Sequence, residues 1–356
     1  MNVRPLIPTA VTAGAAALGL LALSACSTAD ASDGREDGKL KVVASFYPMQ
    51  FLAERIGGDH VKVSTLTKPG VEPHDLELKP RQAAQLEKAG YILYLKGVQP
   101  AVDTAIEKTD IDHKTDAAKL TDTGLHPEKP EQPEQPEQPE KTEADGHDHD
   151  HGAEKDGHDH GAEGDGHGHE QGAKDDGHGH DHGDGDPHIW LDPLKYAQVA
   201  EGVGAALAKA DPGNAADYRK NAAALSGELK ALHTSFEQGL KNTTTRTFVT
   251  THSAFGHLAE RYGLKQEGIA GIDPEAEPSP ARIKELQTVA KSDRVTTVFF
   301  ETLASDRTAK TLAGDTGLRT DVLDPLEGIT EKSKGRDYFE VMNANLTALK
   351  TALGAK

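Results

Sequence analysis

The sequence predicts an α/β protein built as two α/β halves joined by one long helix. Three observations carry this. Apolar, β-branched runs alternate with helical patterns between Leu40 and Leu95, and the same grammar returns from Thr247 onward. Between the two, Tyr218, Ala222, Leu225, Leu229, Leu232, Phe236 and Leu240 recur at steps of three and four, which lines one face of a long helix. The length, 356 residues, suits two domains at a prior of about 150 residues each.

Residues 1–26 read as a targeting segment. A short cationic start precedes an apolar stretch from Val11 to Leu23, and small residues close it at Leu23-Ser24-Ala25-Cys26. The apolar stretch is short for a membrane span. The closing tetrad resembles the lipobox of bacterial lipoproteins, which implies cleavage before Cys26 and a diacylglyceryl group on its thiol. Each buried methylene of such a group contributes roughly 0.8 kcal/mol, so two chains anchor stably. Residues 27–38, rich in Ser, Thr, Ala, Asp and Gly, read as a flexible tether.

In the first half, strands are expected over Leu40–Phe46, Val61–Leu66 and Tyr91–Leu95, with helices over Phe51–Ile56 and Pro80–Ala89. The triplet repeat from Pro127 to Lys141 predicts an extended, solvated spacer. Gly146 to Asp186 is a tract of Gly, His and Asp without apolar periodicity, and it predicts disorder. Order is expected to resume at Pro187, with a helix from Leu194 to Lys209, a break at Asp211-Pro212, and the long helix from Asn214 to Leu240. Beyond it, strands are expected at Thr247–Thr250 and Val295–Phe300, and helices at Ala254–Tyr262, Asp306–Gly314 and Tyr338–Leu353. The domain reading is therefore 1–26 signal, 27–38 tether, 39–192 first lobe carrying an insertion at 127–186, 193–241 helices including the linker, and 242–356 second lobe.

Charge and cysteine usage narrow the function classes. Of a net charge of −19, residues 143–186 supply 15 Asp or Glu against 2 Lys, a net of −13, so the remainder is only mildly acidic. Nothing resembles a basic nucleic-acid footprint. A single cysteine, Cys26, allows neither an internal disulfide nor a thiolate metal cage. Any tight metal site must use His, Asp and Glu.

Three histidines stand at the edges of the expected elements: His74 in Gly70-Val71-Glu72-Pro73-His74-Asp75-Leu76-Glu77, His188 in Asp186-Pro187-His188-Ile189-Trp190-Leu191-Asp192-Pro193, and His252 in Thr251-His252-Ser253-Ala254-Phe255-Gly256. Loops at the carboxyl ends of parallel strands are where open α/β sheets place ligands, and imidazole suits zinc. A lone loop histidine is more often simply solvated. Local context adds weight, since His74 and His188 each follow a proline and lie near Asp75, Glu77 and Asp192, which could orient the rings.

These motifs resemble those of the zinc-type cluster A-I (cluster 9) solute-binding lipoproteins, the metal-binding subunits of zinc and manganese ABC importers. Gly70–Glu77 matches that family's G-x-E-P-H-x-[FYWL]-E pattern, Asp186–Pro193 its D-P-H-x-W-L-D-P pattern, and Thr251–Leu258 its [ST]-H-x-A-[FY]-x-[YH]-L pattern. A His- and acid-rich insertion before the second histidine is also similar to the zinc branch. The resemblance covers about residues 40–356 and implies two lobes joined by a rigid helix, with zinc bound between them. It implies His74 and His188 from the first lobe and His252 from the second as ligands. For the fourth, alignment on Leu326-Glu327-Gly328-Ile329-Thr330 favours Glu327, with Asp324, Glu301 or water as competitors.

By the same resemblance the chain is a Zn2+-capturing component of an ABC importer. Its partners are a membrane permease and its ATPase subunit, and it sits outside the cytoplasm on a lipid anchor, a monomer that binds no nucleic acid. The alternatives are a manganese-binding homologue, or a surface zinc buffer or adhesin on the same scaffold. An enzyme is not expected. No short-spaced zinc pair such as H-E-x-x-H occurs, and Ser253 lies in no nucleophile elbow. The tract supplies further donors at His147, His149, His151, His158, His160, His167, His169, His178, His180 and His182. On a flexible chain these are expected to bind metal weakly, because each binding event must order the backbone.

Overall fold

A computed structural model of the chain describes residues 34–121 and 185–356. The signal and Cys26, the Pro/Glu spacer and the tract histidines lie outside the described residues.

Nine strands form two sheets among the described residues. The first contains β1 (Arg35–Glu36), β2 (Lys39–Ala44), β3 (Val61–Thr65), β4 (Tyr91–Tyr94) and β5 (Lys114–Asp116). β3 and β4 flank β2 in parallel, so that Val42 lies opposite both Val63 and Tyr91, and β5 extends the sheet beyond β4. The helices between these strands are α1 (Tyr47–Gly57), α2 (Pro80–Glu87) and α3 (Pro100–Glu107). Two further helices, α4 (Pro193–Ala210) and α5 (Ala215–Leu240), pack along one another. The second sheet is wholly parallel, in the order β7 (Lys265–Gly268), β6 (Thr247–Thr250), β8 (Thr297–Phe300), β9 (Arg319–Val322). Its helices are α6 (Gly256–Arg261), α7 (Pro280–Ser292), α8 (Arg307–Thr316) and α9 (Tyr338–Leu353).

In both sheets the chain places its second parallel strand on one side of the first and its third and fourth on the other. That reversal opens a crevice at the carboxyl ends of the strands, the usual ligand position in open α/β sheets.

The stripe from Tyr218 to Leu240 is the buried face of α5. α4 begins where the sequence suggests: Pro193 occupies the first turn, where its missing N–H costs nothing, and the Asp192 carboxylate caps the Leu194 N–H at 2.9 Å. One continuous apolar core runs from the inner face of the first sheet through α4 and α5 to the inner face of the second. α9 closes it. Tyr338, at the start of α9, lies 5.4 Å from the Phe51 ring and 4.8 Å from Tyr196, and its hydroxyl donates to the Trp190 carbonyl at 2.7 Å. The two sheets therefore share a core, which fixes the relation of their carboxyl edges.

Besides α3, β5, β7, α7 and β9, which the sequence reading does not name, two of its boundaries differ from the structure. Within the expected tether, Arg35–Glu36 pairs antiparallel with the start of β2. The cause is Asp211, a buried carboxylate that accepts from Arg35 at 2.6 Å, from Asn214 and from the Tyr218 hydroxyl at 2.7 Å. This pins β1 to the corner between α4 and α5. At the other end of the insertion, Asp186 belongs to the ordered fold, since it is 9% exposed and hydrogen-bonded.

Candidate metal centre

Each of the three motif histidines sits in a loop whose backbone is held by its own sequence. His74 follows β3, and the Glu72 carboxylate accepts its N–H at 2.9 Å. His188 opens a short 3-10 turn (Ile189–Leu191), and Asp186 accepts its N–H at 2.9 Å. His252 lies just past β6, where its carbonyl accepts from the Thr250 hydroxyl at 2.6 Å and from Gln266 at 3.0 Å. Glu327 comes from the loop after β9. There Leu326 adopts a left-handed backbone, φ 60°, and the turn is locked from both sides. The Asp324 carboxylate accepts the Leu326 N–H at 2.8 Å, Asn345 bonds both backbone polar groups of Asp324, and Trp190 donates to the Pro325 carbonyl at 2.7 Å. A strained non-glycine residue of this kind costs on the order of 1–3 kcal/mol and persists only where its surroundings hold it.

These four side chains converge. One donor atom from each of His74, His188, His252 and Glu327 lies within 4.8 Å of all the others. Glu327 Oε1 stands 3.3 Å from His74 Nε2, 3.2 Å from His188 Nε2 and 3.4 Å from His252 Nε2. His188 and Glu327 are fully buried and His252 is 1% exposed, whereas the His74 side chain retains 11%.

The outer nitrogens of two rings are spoken for. His188 Nδ1 donates to Asp186 at 2.7 Å, and His252 Nδ1 donates to Glu301 at 2.6 Å. A ring whose Nδ1 donates outward presents Nε2 inward, which fixes tautomer and orientation as in ligating histidines. Two buried inward atoms, His252 Nε2 and Glu327 Oε2, have no hydrogen-bond partner. Buried polar atoms are ordinarily paired, so orphans at one point call for a missing partner. Three imidazoles and a carboxylate suit a borderline divalent cation such as zinc in a four-coordinate site.

The electrostatics agree. Burial works against charge on His188, but Asp186 and Glu327 outweigh it and raise its pKa. His252 is likewise raised well above the ordinary imidazole value, against burial, by Glu301 and Glu327. Burial alone would raise Glu327, yet the His188, His252 and His74 imidazoles gathered around it hold it well below the usual carboxylate range. Glu72 goes the other way: burial and the Glu327 carboxylate push it up to about 9. Without metal the site is thus an ionised carboxylate beside two imidazoles, His188 and His252, that favour their protonated form, and a dication bound there would have to displace those protons.

The remaining candidates fall elsewhere. Asp324 spends its oxygens on the turn that presents Glu327, accepting from Leu326 N–H and from the Thr302 hydroxyl at 3.2 Å. Glu301 sits behind His252, accepting from its ring and from the Thr251 hydroxyl. Asp75 and Glu77 are exposed, and Asp192 faces away from the rings to cap α4 and pair with Arg261. The carboxylates that do orient the rings are Asp186 and Glu301. The sequence reading names Asp75, Glu77 and Asp192 for this role and places Asp186 in the tract expected to be disordered, although its place two residues before His188 is the available signal; Glu301 is 49 residues from His252 and carries no local signal for it.

A family model for the zinc-uptake complex component A, periplasmic (ZnuA), matches residues 42–352. The zinc-binding lipoprotein AdcA of Streptococcus pneumoniae is 35% identical across 94% of this chain, which spans 59% of that longer protein. The high-affinity zinc uptake system protein ZnuA of Bacillus subtilis is 34% identical, across 94% of this chain and 95% of its own length. Among solved structures, the Zn(II)-bound ZnuA-like domain of Streptococcus pneumoniae AdcA aligns with a TM-score of 0.63 at 30% identity, covering 89% of this chain and 99% of that one. The two-sheet fold, the convergent histidines and these matches together place the chain in the ZnuA family of zinc-uptake solute-binding components.

Proposed function

We propose that this chain captures Zn2+ outside the cytoplasm through His74, His188, His252 and Glu327 and delivers it to the permease of an ABC importer driven by its ATPase subunit. The observation that carries the reading is the convergence of four donors from loops of both sheets, within 4.8 Å, with inward orphan atoms at its centre. Three nitrogen donors favour zinc over manganese, which prefers oxygen. Four protein donors also leave no open position for a reacting water, the hallmark of catalytic zinc, so the chain acts as a carrier and not as an enzyme. It works as a monomer, held to the membrane through a lipid on Cys26.

Competition titration of the full-length protein with a chromogenic chelator tests this. One tight zinc per chain and much weaker manganese are expected, together with zinc-dependent growth failure when the gene is deleted. Equal affinity for both metals, or undiminished zinc uptake without the protein, would overturn it.

A further inference from the structure

Asp186 orients His188, and its own backbone carbonyl is held in turn by a residue of α6. His257 Nε2 lies 2.9 Å from the Asp186 carbonyl, and its Nδ1 lies 2.8 Å from Lys195 Nζ at the start of α4. These two partners decide the tautomer. A carbonyl only accepts and a lysine ammonium only donates, so Nδ1 carries the lone pair and Nε2 carries the proton. The ring is 5% exposed, well shielded from competing water.

One turn further along α6, on the same face, Arg261 bonds Asp192 at 2.8 Å. α6 thus grips the His188 segment at both ends, and it begins four residues after His252.

We propose that His257, with its tautomer set by Lys195, is a positioning residue for the metal site: it holds Asp186 so that the His188 ring meets the His252 loop at the spacing zinc requires. This rests on the zinc-capture reading above. The hydrogen bonds of His257 go to Lys195 and Asp186 and to none of the four donors. It acts through the Asp186 backbone, whose carboxylate then takes both the N–H and the Nδ1–H of His188. A zinc tetrahedron tolerates only small displacements of its donors, so slack in Asp186 reaches the metal as a faster loss of the His188 bond.

The test compares full-length wild type, His257→Leu and His257→Gln by chelator competition, with a chelator strong enough to strip any weak zinc from the histidine tract. Melting of the metal-free proteins is measured alongside. Removing a group behind a metal ligand costs about tenfold to a hundredfold in affinity. One step further out, His257→Leu is expected at the low end, about tenfold weaker. His257→Gln keeps an N–H donor near the Nε2 place and is expected to stay within about threefold of wild type. The metal-free melting temperatures should not follow this order. If leucine leaves affinity unchanged, or glutamine falls as far as leucine, His257 is only core packing and the proposal is overturned. If the leucine variant does not fold, His257→Phe, which keeps a ring in the same space without donors, carries the same expectations. A wild type with no tight zinc would instead overturn the capture reading itself.

Discussion

Zinc capture should weaken steeply with acid, and the site geometry sets both the sign and the slope. In the metal-free fold His188 and His252 hold protons above the ordinary imidazole value of 6.5, and Glu327 stays ionised below the ordinary 4.5. For the metal-free protein, the stability contributed by the imidazoles is full below 6.5 and is lost as pH rises through their raised values. The contribution of Glu327 is full above 4.5 and is lost as pH falls through its lowered value. The metal-free cluster is therefore most stabilising between 4.5 and 6.5.

Zinc binding runs opposite to the imidazoles, because the metal must displace their protons. Each displaced proton makes the association constant fall about tenfold per pH unit, so where both imidazoles are protonated the fall is about a hundredfold per unit. Above their raised values the curve should flatten. Chelator competition across about pH 5.5–8.5, with proton release followed by calorimetry in buffers of different ionisation enthalpy, measures this. A flat affinity across that range, or zinc uptake without proton release at the acid end, would refute the account of the metal-free site.

Glu301→Gln keeps an acceptor for His252 Nδ1 but removes the charge, and should weaken zinc by about tenfold to a hundredfold in the same competition assay with little change in fold. Trp190→Phe removes the donor to the Pro325 carbonyl, leaves a buried acceptor unpaired, and should cost about 1–3 kcal/mol in denaturant melts. Deleting residues 146–184 should remove weak zinc equivalents from calorimetry and spare the tight one; the deletion must stop short of Asp186, which orients His188.

Much of this protein is legible because its signals are local. The stripe along α5 is a periodicity, and Thr247–Thr250 and Tyr338–Leu353 read to the residue because apolar content and boundary residues coincide there. What escapes the sequence reading is polar or brief. β7 is Lys-Gln-Glu-Gly, and its Glu267 is buried only because Arg282 and Lys265 neutralise it at 2.6 and 2.9 Å, a pairing made in space. β5 and β9 lie at the ends of their sheets, where one neighbour suffices and the alternation is weak. α7 opens at Ser279-Pro280, a capping signal with little apolar periodicity behind it. At the site, the three histidines are readable from their motifs, whereas Asp186 reads as part of the low-complexity tract because aspartate belongs to that tract's own composition. The roles of Asp324, which locks the Leu326 turn, and of Glu301, which sits behind His252, exist only once the strands bring their ends together.

The central claim is the ligand set, and zinc-edge X-ray absorption on the singly loaded full-length protein reads it directly. Three imidazole nitrogens and one carboxylate oxygen are expected at about 2.0–2.2 Å with no sulfur, and one imidazole should be lost in His188→Ala. A site with fewer than three imidazoles, or one whose spectrum is unchanged in His188→Ala, would contradict it.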